Sequence, residues 1–215
     1  MNYKKTILTS ILAGFSIGLG GFIFLSVDNK IIGSALFSLG LFLVLTMGLS
    51  LFTGKVCYIL KGNIKHNLIN IPIIWCGNFI GSFILTSIIK FTRQSEGILE
   101  NAQAICNVKN QDSYISLFLL GIICNIFIFI AVEEYNKNET VLGKYLAIFL
   151  GVMGFILVGS EHCVADMFYY NMAGNYSADM FIRLLIITIG NSVGGVTANF
   201  FVSKCWNKIE TVTDK

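Results

Sequence analysis

Six long apolar stretches separated by short polar segments set the pattern of this chain: Ile7–Val27, Ile31–Leu51, Asn67–Ile89, Ser113–Val132, Tyr145–Ser160 with a continuation to Tyr170, and Leu184–Ser203. A hydrocarbon core about 30 Å thick is crossed by roughly 20 apolar residues in a helix. The pattern therefore predicts an all-α membrane protein with six transmembrane helices, built as a single domain over residues 1–215. The first stretch is longer than the roughly 7–15 apolar residues of a secretory signal, so it reads as a retained span. Five stretches contain no Asp, Glu, Lys, Arg or His. The fifth is interrupted by Gly159-Ser160-Glu161-His162-Cys163-Val164-Ala165-Asp166. An ionisable side chain inside a membrane costs several kcal/mol and marks a functional candidate facing a cavity.

The second stretch carries an interruption as well, at Ser50–Lys55. The two halves of the chain echo each other further. Gly77-Asn78-Phe79-Ile80-Gly81-Ser82 in the third stretch recurs as Gly190-Asn191-Ser192-Val193-Gly194-Gly195 in the sixth, and Gly14 and Gly121 fall at similar depth in the first and fourth. Three spans repeated once, an odd number, lie inverted in the membrane. Inverted repeats with broken helices at matching positions point to a transport site near the midplane. The many other glycines, such as Gly18, Gly21, Gly40, Gly48, Gly151 and Gly154, read first as small residues that let helices approach closely.

Composition narrows the class. Of 215 residues 55% are hydrophobic and 13% charged, where a soluble domain carries roughly a quarter charged. With the N-terminus inside, the inner loops and ends hold Lys4, Lys5, Lys61, Lys65, Lys137, Lys144, Lys204, Lys208 and Lys215; the outer ones hold only Lys30, Lys90, Arg93, Lys109 and Arg183. That bias predicts a multi-pass protein of the plasma membrane with both termini cytoplasmic. A net charge of +3 without a basic stripe leaves nucleic acid out as a partner. The six cysteines are scattered, without a C-x-x-C pair, and read as apolar packing residues.

His162 is the one group in the fifth interruption that titrates near neutrality. About seventeen residues into its stretch, at 1.5 Å per residue, it sits near mid-membrane. A histidine merely bonding between helices is the plainer reading, but Glu161 and Asp166 beside it would be a costly cluster for a structural role. Glu161 is a candidate to fix the His162 tautomer by accepting its ring proton, and Asp166 a candidate cap of the restarted helix. In the other interruption Thr53 offers a hydroxyl and Gly54 the freedom for a sharp turn. Asn125 and Asn191 are amides inside spans, either polar pore groups or interhelical glue.

Leu51-Phe52-Thr53-Gly54, the run Gly121 to Asn125, Glu161-His162-Cys163-Val164-Ala165-Asp166-Met167 and Gly190-Asn191 to Gly195 together resemble the formate/nitrite transporter family, in order and over essentially the whole chain. The resemblance implies a homopentamer of aquaporin-like protomers, each with its own pore for small monovalent weak-acid anions such as formate, nitrite, hydrosulfide, acetate or lactate. It implies that His162 is the central pore histidine, Thr53 the threonine of the second-span loop, and Lys109 the lysine of the outer vestibule. It implies apolar constrictions at Phe37, Leu41, Leu51 and Phe155, and a polar network through Asn125 and Asn191. Two positions depart from the family's pattern. Ser50 stands where many members have an acidic residue, and Asp166 where asparagine is usual, so the pore's charge balance and substrate preference are expected to differ. The family's interfacial N-terminal helix has no counterpart before the first span, so no gating by it is expected.

The expectation is transport of one such anion, formate first, together with a proton, with no cofactor, no metal and no enzymatic activity. Nitrite or hydrosulfide is the alternative substrate. A membrane-embedded redox enzyme would need a C-x-x-C or several histidines, and only His66 and His162 are present. A neutral-solute channel of aquaporin type usually shows paired N-P-A motifs, and the only proline, Pro72, lies in none.

Overall fold

The computed structural model describes residues 3–213 and the side chains of residues 3–205, so Lys208 and Lys215 of the charge count lie outside the described side chains. In chain order the helices are α1 (Tyr3–Leu25), α2 (Lys30–Thr46), α3 (Phe52–Val56), α4 (Ile64–Lys90), α5 (Ser95–Gln111), α6 (Tyr114–Lys137), α7 (Val141–Leu157), α8 (Cys163–Ala173) and α9 (Ala178–Thr213). Four of them are long and apolar enough to cross a membrane unaided: α1, α4, α6 and the Ala178–Cys205 part of α9. The shorter apolar helices α2 and α7 have 17 residues each, about 25 Å at 1.5 Å per residue. Each is completed by a second helix beyond a break, α3 and α8 respectively. The protein is thus an all-helical, multi-pass membrane protein of six spans with the second and fifth broken.

The packing is reciprocal between the halves. Helix α1 packs on α4 and α2, as α6 packs on α9 and α7; α3 lies against α6 and α9, as α8 lies against α1 and α4. Each half therefore seats its short helix between the long helices of the other, and α2 meets α7 where the halves join. Glycines make the long pairs close. A Cβ at Gly14 would overlap the Asn78 carbonyl, at Gly81 the Ile11 carbonyl, at Gly190 the Phe118 carbonyl and at Gly194 the Ile122 carbonyl. Without water to drive association, such backbone approach is what holds membrane helices together.

The internal register differs from the one the glycines suggested. The contact of Gly81 with Ile11 is repeated by Gly194 with Ile122, and Gly77 meets Ser10 as Gly190 meets Gly121. Gly121 therefore corresponds to Ser10, and Gly14 to Asn125, not to Gly121. Glycine at similar depth was a misleading marker, because small residues serve the same packing role at several turns of one helix.

Helix α5 was not visible among the apolar stretches. Its buried residues are Ile98, Ala102, Cys106 and Lys109, one face of an amphipathic helix. It covers α8 and the end of α1, where Asn101 Nδ2 donates to the Leu25 carbonyl at 2.9 Å.

Candidate functional site

The two breaks are made by one device. Helix α2 ends at Met47, Gly48 takes a left-handed φ of 65°, and the Leu49 N–H returns to the Val44 carbonyl at 2.8 Å. Helix α7 ends at Val158, Gly159 takes φ 69°, and the Ser160 N–H returns to the Phe155 carbonyl at 3.0 Å. This is the Schellman arrangement, for which glycine carries no Cβ penalty. The chain is therefore unwound over 47–51 and 158–162, a few residues earlier than the polar residues indicated. Thr53, Gly54 and Asp166 already belong to the restarted helices, so Gly48, rather than Gly54, supplies the sharp turn.

An asparagine closes each break from the neighbouring long helix. Asn78 Oδ1 accepts the Phe52 N–H at 2.8 Å, and its Nδ2 donates to the Ser10 and Ser50 carbonyls at 2.7 and 3.0 Å. Asn191 Oδ1 accepts the Cys163 N–H at 2.9 Å, and its Nδ2 donates to the Gly121 and Glu161 carbonyls, both at 2.8 Å. Partners of the break lie 111 positions apart throughout (48 to 159, 50 to 161, 52 to 163). Unwound backbone in a membrane must find such partners inside the protein. Asn125 adds a cross-link, its Nδ2 donating to the Asn191 carbonyl at 2.7 Å and the Thr53 carbonyl at 3.2 Å; its Oδ1 is buried without a protein partner.

His162 stands at the head of α8, where the first half has Leu51 at the head of α3. Its Nδ1 accepts the Ala165 N–H at 3.0 Å and so caps the helix. That bond leaves the proton of a neutral ring on Nε2, which lies 3.0 Å from Thr53 Oγ1. Both His162 and Thr53 are buried. The cap expected of Asp166 is thus the histidine's own ring, and the tautomer expected to be set by Glu161 is set by a backbone amide.

Glu161 and Asp166 are engaged elsewhere. Both bind Lys109, the Glu161 carboxylate through Oε2 and the Asp166 carboxylate through Oδ1 at 2.9 Å. Lys109 is 7% exposed, and its ammonium also sits 6.0 Å from the Tyr169 ring centroid. It is a buried, paired cation, not a free charge in an open vestibule. Helix α5 contains no apolar run, so nothing local marks this pairing across 52 positions.

The four apolar positions divide into two groups. Leu41 and Leu51 lie at the wall of a cavity of about 670 Å³ that also reaches Lys55, Lys61, His66 and Asn70. Phe37 meets Phe155 edge to face at 6.0 Å between centroids, and Phe155 stacks on His162 at 5.3 Å. The polar pair His162–Thr53 thus has the Phe155 ring stacked against it, with Phe37 edge-on behind, while the two leucines line the cavity. Among the described residues no cluster of His, Cys, Asp or Glu could hold a metal ion.

A six-span protein with two inverted repeats, both middle helices broken, and a buried histidine–hydroxyl pair at the meeting of the breaks is a membrane pore protein by construction. A model of the formate/nitrite transporter family matches residues 1–203, and the chain belongs to that family. It is accordingly a transporter of formate- or nitrite-type anions and not an enzyme. Among its relatives are the formate channel FocA of Haemophilus influenzae, 28% identical over 202 residues (78% of this chain, 70% of that one), and the nitrite transporter NirC of Escherichia coli, 26% identical over 210 residues (87% and 78%). A pentameric formate channel solved with formate bound is similar with a TM-score of 0.80 at 28% identity, covering 97% of this chain and 98% of that one. An ion channel of the same family gives a TM-score of 0.82 at 25% identity, covering 91% and 87%.

Proposed function

We propose that the protein carries formate across the plasma membrane together with a proton, through a separate pore in each protomer of a homopentamer. The observation that carries this reading is the fixed donor pair at the breaks: Nε2–H of His162 directed at Thr53, whose own hydroxyl proton remains to be given to an anion. Its setting supports the reading equally. A bare carboxylate in an apolar constriction meets a desolvation cost of order tens of kcal/mol, so passage of Leu41, Leu51, Phe37 and Phe155 favours the neutral acid.

His162 acts as a fixed donor here and not as a relay, because loading a proton on Nδ1 would break the Ala165 cap. Asn191 satisfies the backbone of the second break, and Asn125 ties it to the first through the Asn191 and Thr53 carbonyls. Lys109 and Glu161 form the paired, buried charges beside His162, and the lysine, held between two carboxylates, has no spare positive charge to draw anions. The bias of lysines supports a cytoplasmic side for both termini and for the mouth of the 670 Å³ cavity. The pentamer and formate follow the solved relative that is described as a pentameric formate channel with formate bound. The nitrite transporter among the relatives favours nitrite as the second reading, with hydrosulfide as the third.

The test is uptake into proteoliposomes of formate, nitrite, hydrosulfide and lactate at two pH values, with and without a protonophore. Formate uptake that rises at lower pH and falls with the protonophore is the expected result. Uptake of none of the four, with water or glycerol permeation instead, overturns the reading.

A further inference from the structure

Lys109, Glu161 and Asp166 form a buried group of one cation and two carboxylates. Asp166 is 1% exposed, Glu161 5% and Lys109 7%. With every member in its ordinary ionised form, the group would carry one uncompensated negative charge out of contact with water. An unpaired buried charge is among the most costly features a protein can hold, and the usual relief is to take up a proton. The geometry says where that proton goes. Asp166 Oδ1 is occupied by Lys109, while Oδ2 is buried with no hydrogen-bond partner. Glu161 Oε2 and Asp166 Oδ1 meet at the same Lys109 ammonium, and two carboxylates held that close beside a single cation do not both stay ionised.

Among the described residues the surroundings offer no second cation. Around Asp166, α5 contributes Lys109 and Cys106, the linker before α8 contributes Glu161 and His162, and α6 contributes Cys124. On α8 itself lie Cys163, Tyr169 and Tyr170. Helices α1 and α4 pack on α8 through uncharged groups such as Gly18, Gly21 and Leu85 around Phe168. Lys90 of α4 is engaged by the Asn171 carbonyl at the far end of α8, and Arg183 of α9 by the carbonyls of Lys109 and Asp112.

We infer that Asp166 and Glu161 share one exchangeable proton beside Lys109, and that anion passage requires this protonated, neutral form of the group. The group begins one residue before His162 and ends one helical turn after it, where the Asp166 N–H bonds the His162 carbonyl at 2.9 Å. With the proton held, an anion approaching His162 meets a neutral wall. With the proton lost, it meets a net negative charge in a medium that screens poorly. This rests on the anion-transport reading and adds to it a residue that sets how steeply transport depends on pH.

Two measurements test it. In difference infrared spectra of wild-type protein grown with carbon-13 aspartate and, separately, glutamate, a protonated-carboxyl stretch should shift with the label and vanish as pH rises. No such band at any pH where uptake occurs overturns the inference. In proteoliposomes, formate uptake by Asp166→Asn is compared with wild type as a ratio across pH, which cancels the protonation of formate itself. The ratio should climb with pH, by about tenfold per unit once the wild-type site has lost its proton. Glu161→Gln, which also leaves one carboxylate for one lysine, should give the same slope and serves if the first variant does not fold. A flat ratio means a merely structural role and overturns the inference. Wild-type vesicles that take up no anion would overturn the transport reading instead, while the infrared result still decides whether the proton is there.

Discussion

At Met47–Leu51 and again at Val158–His162 the chain leaves a helix through a left-handed glycine, runs extended for a few residues, and restarts under the side chain of an asparagine. The backbone bonds of the two breaks correspond one to one. The side chains do not. Where the first break presents Ser50, Leu51, Thr53 and Lys55, the second presents Glu161, His162, Val164 and Asp166. Lys55 is exposed at the wall of the open cavity, whereas Asp166 is shut in with Lys109. Opening a helix in a membrane is thus a symmetric structural problem with one repeated solution, whereas a buried charged group is added to the second copy only. His162 joins the two levels, since its Nδ1 does the capping and its Nε2 faces Thr53.

The largest effects are expected at the asparagines. Asn78→Leu and Asn191→Leu each strand three backbone groups, at about 1–3 kcal/mol apiece. Both variants should fail to give a monodisperse folded protein in detergent, and to a similar degree. A folded variant on one side only would show that the breaks are not held equivalently. Next in size, Gly81→Ala and Gly194→Ala press a methyl into the Ile11 and Ile122 carbonyls. Overpacking of this kind costs about 1–3 kcal/mol, so paired drops in thermal unfolding temperature are expected. Smaller still, Gly48→Ala and Gly159→Ala have open space around the new methyl and suffer only the left-handed backbone, about 1–2 kcal/mol. Thermal unfolding should again show matched losses, below those of the packed glycines.

The sequence carried more of the skeleton than of the site. Hydrophobic length marked the six spans, and the polar interruptions marked the two broken ones. Their limits came out late, because Thr53 and Asp166 draw attention while the turns themselves are made by Gly48 and Gly159 among apolar neighbours. Residue identity picked out His162 and Thr53, which the structure brings into contact. It could not show that Nδ1 is spent on the Ala165 amide, since a ring nitrogen's partner depends on side-chain rotation within a single helical turn. Lys109 looked like a loop charge because a short amphipathic helix over polar sequence has no hydropathy signature of a span. The i, i+4, i+8, i+11 spacing of Ile98, Ala102, Cys106 and Lys109 was the signal that would have shown which face of α5 turns inward.

The His162 ring does two separable jobs, and His162→Asn separates them. Asparagine is as good a helix cap as any residue, so the restart of α8 should survive, while nothing replaces Nε2 at Thr53. The measurement is proton-driven formate uptake by this variant in proteoliposomes, beside its thermal unfolding. A hydrogen bond to a charged group is worth about 1.5–3 kcal/mol, so near wild-type stability is expected with uptake reduced by roughly tenfold or more. Stable protein with wild-type, proton-driven uptake would contradict this division of roles.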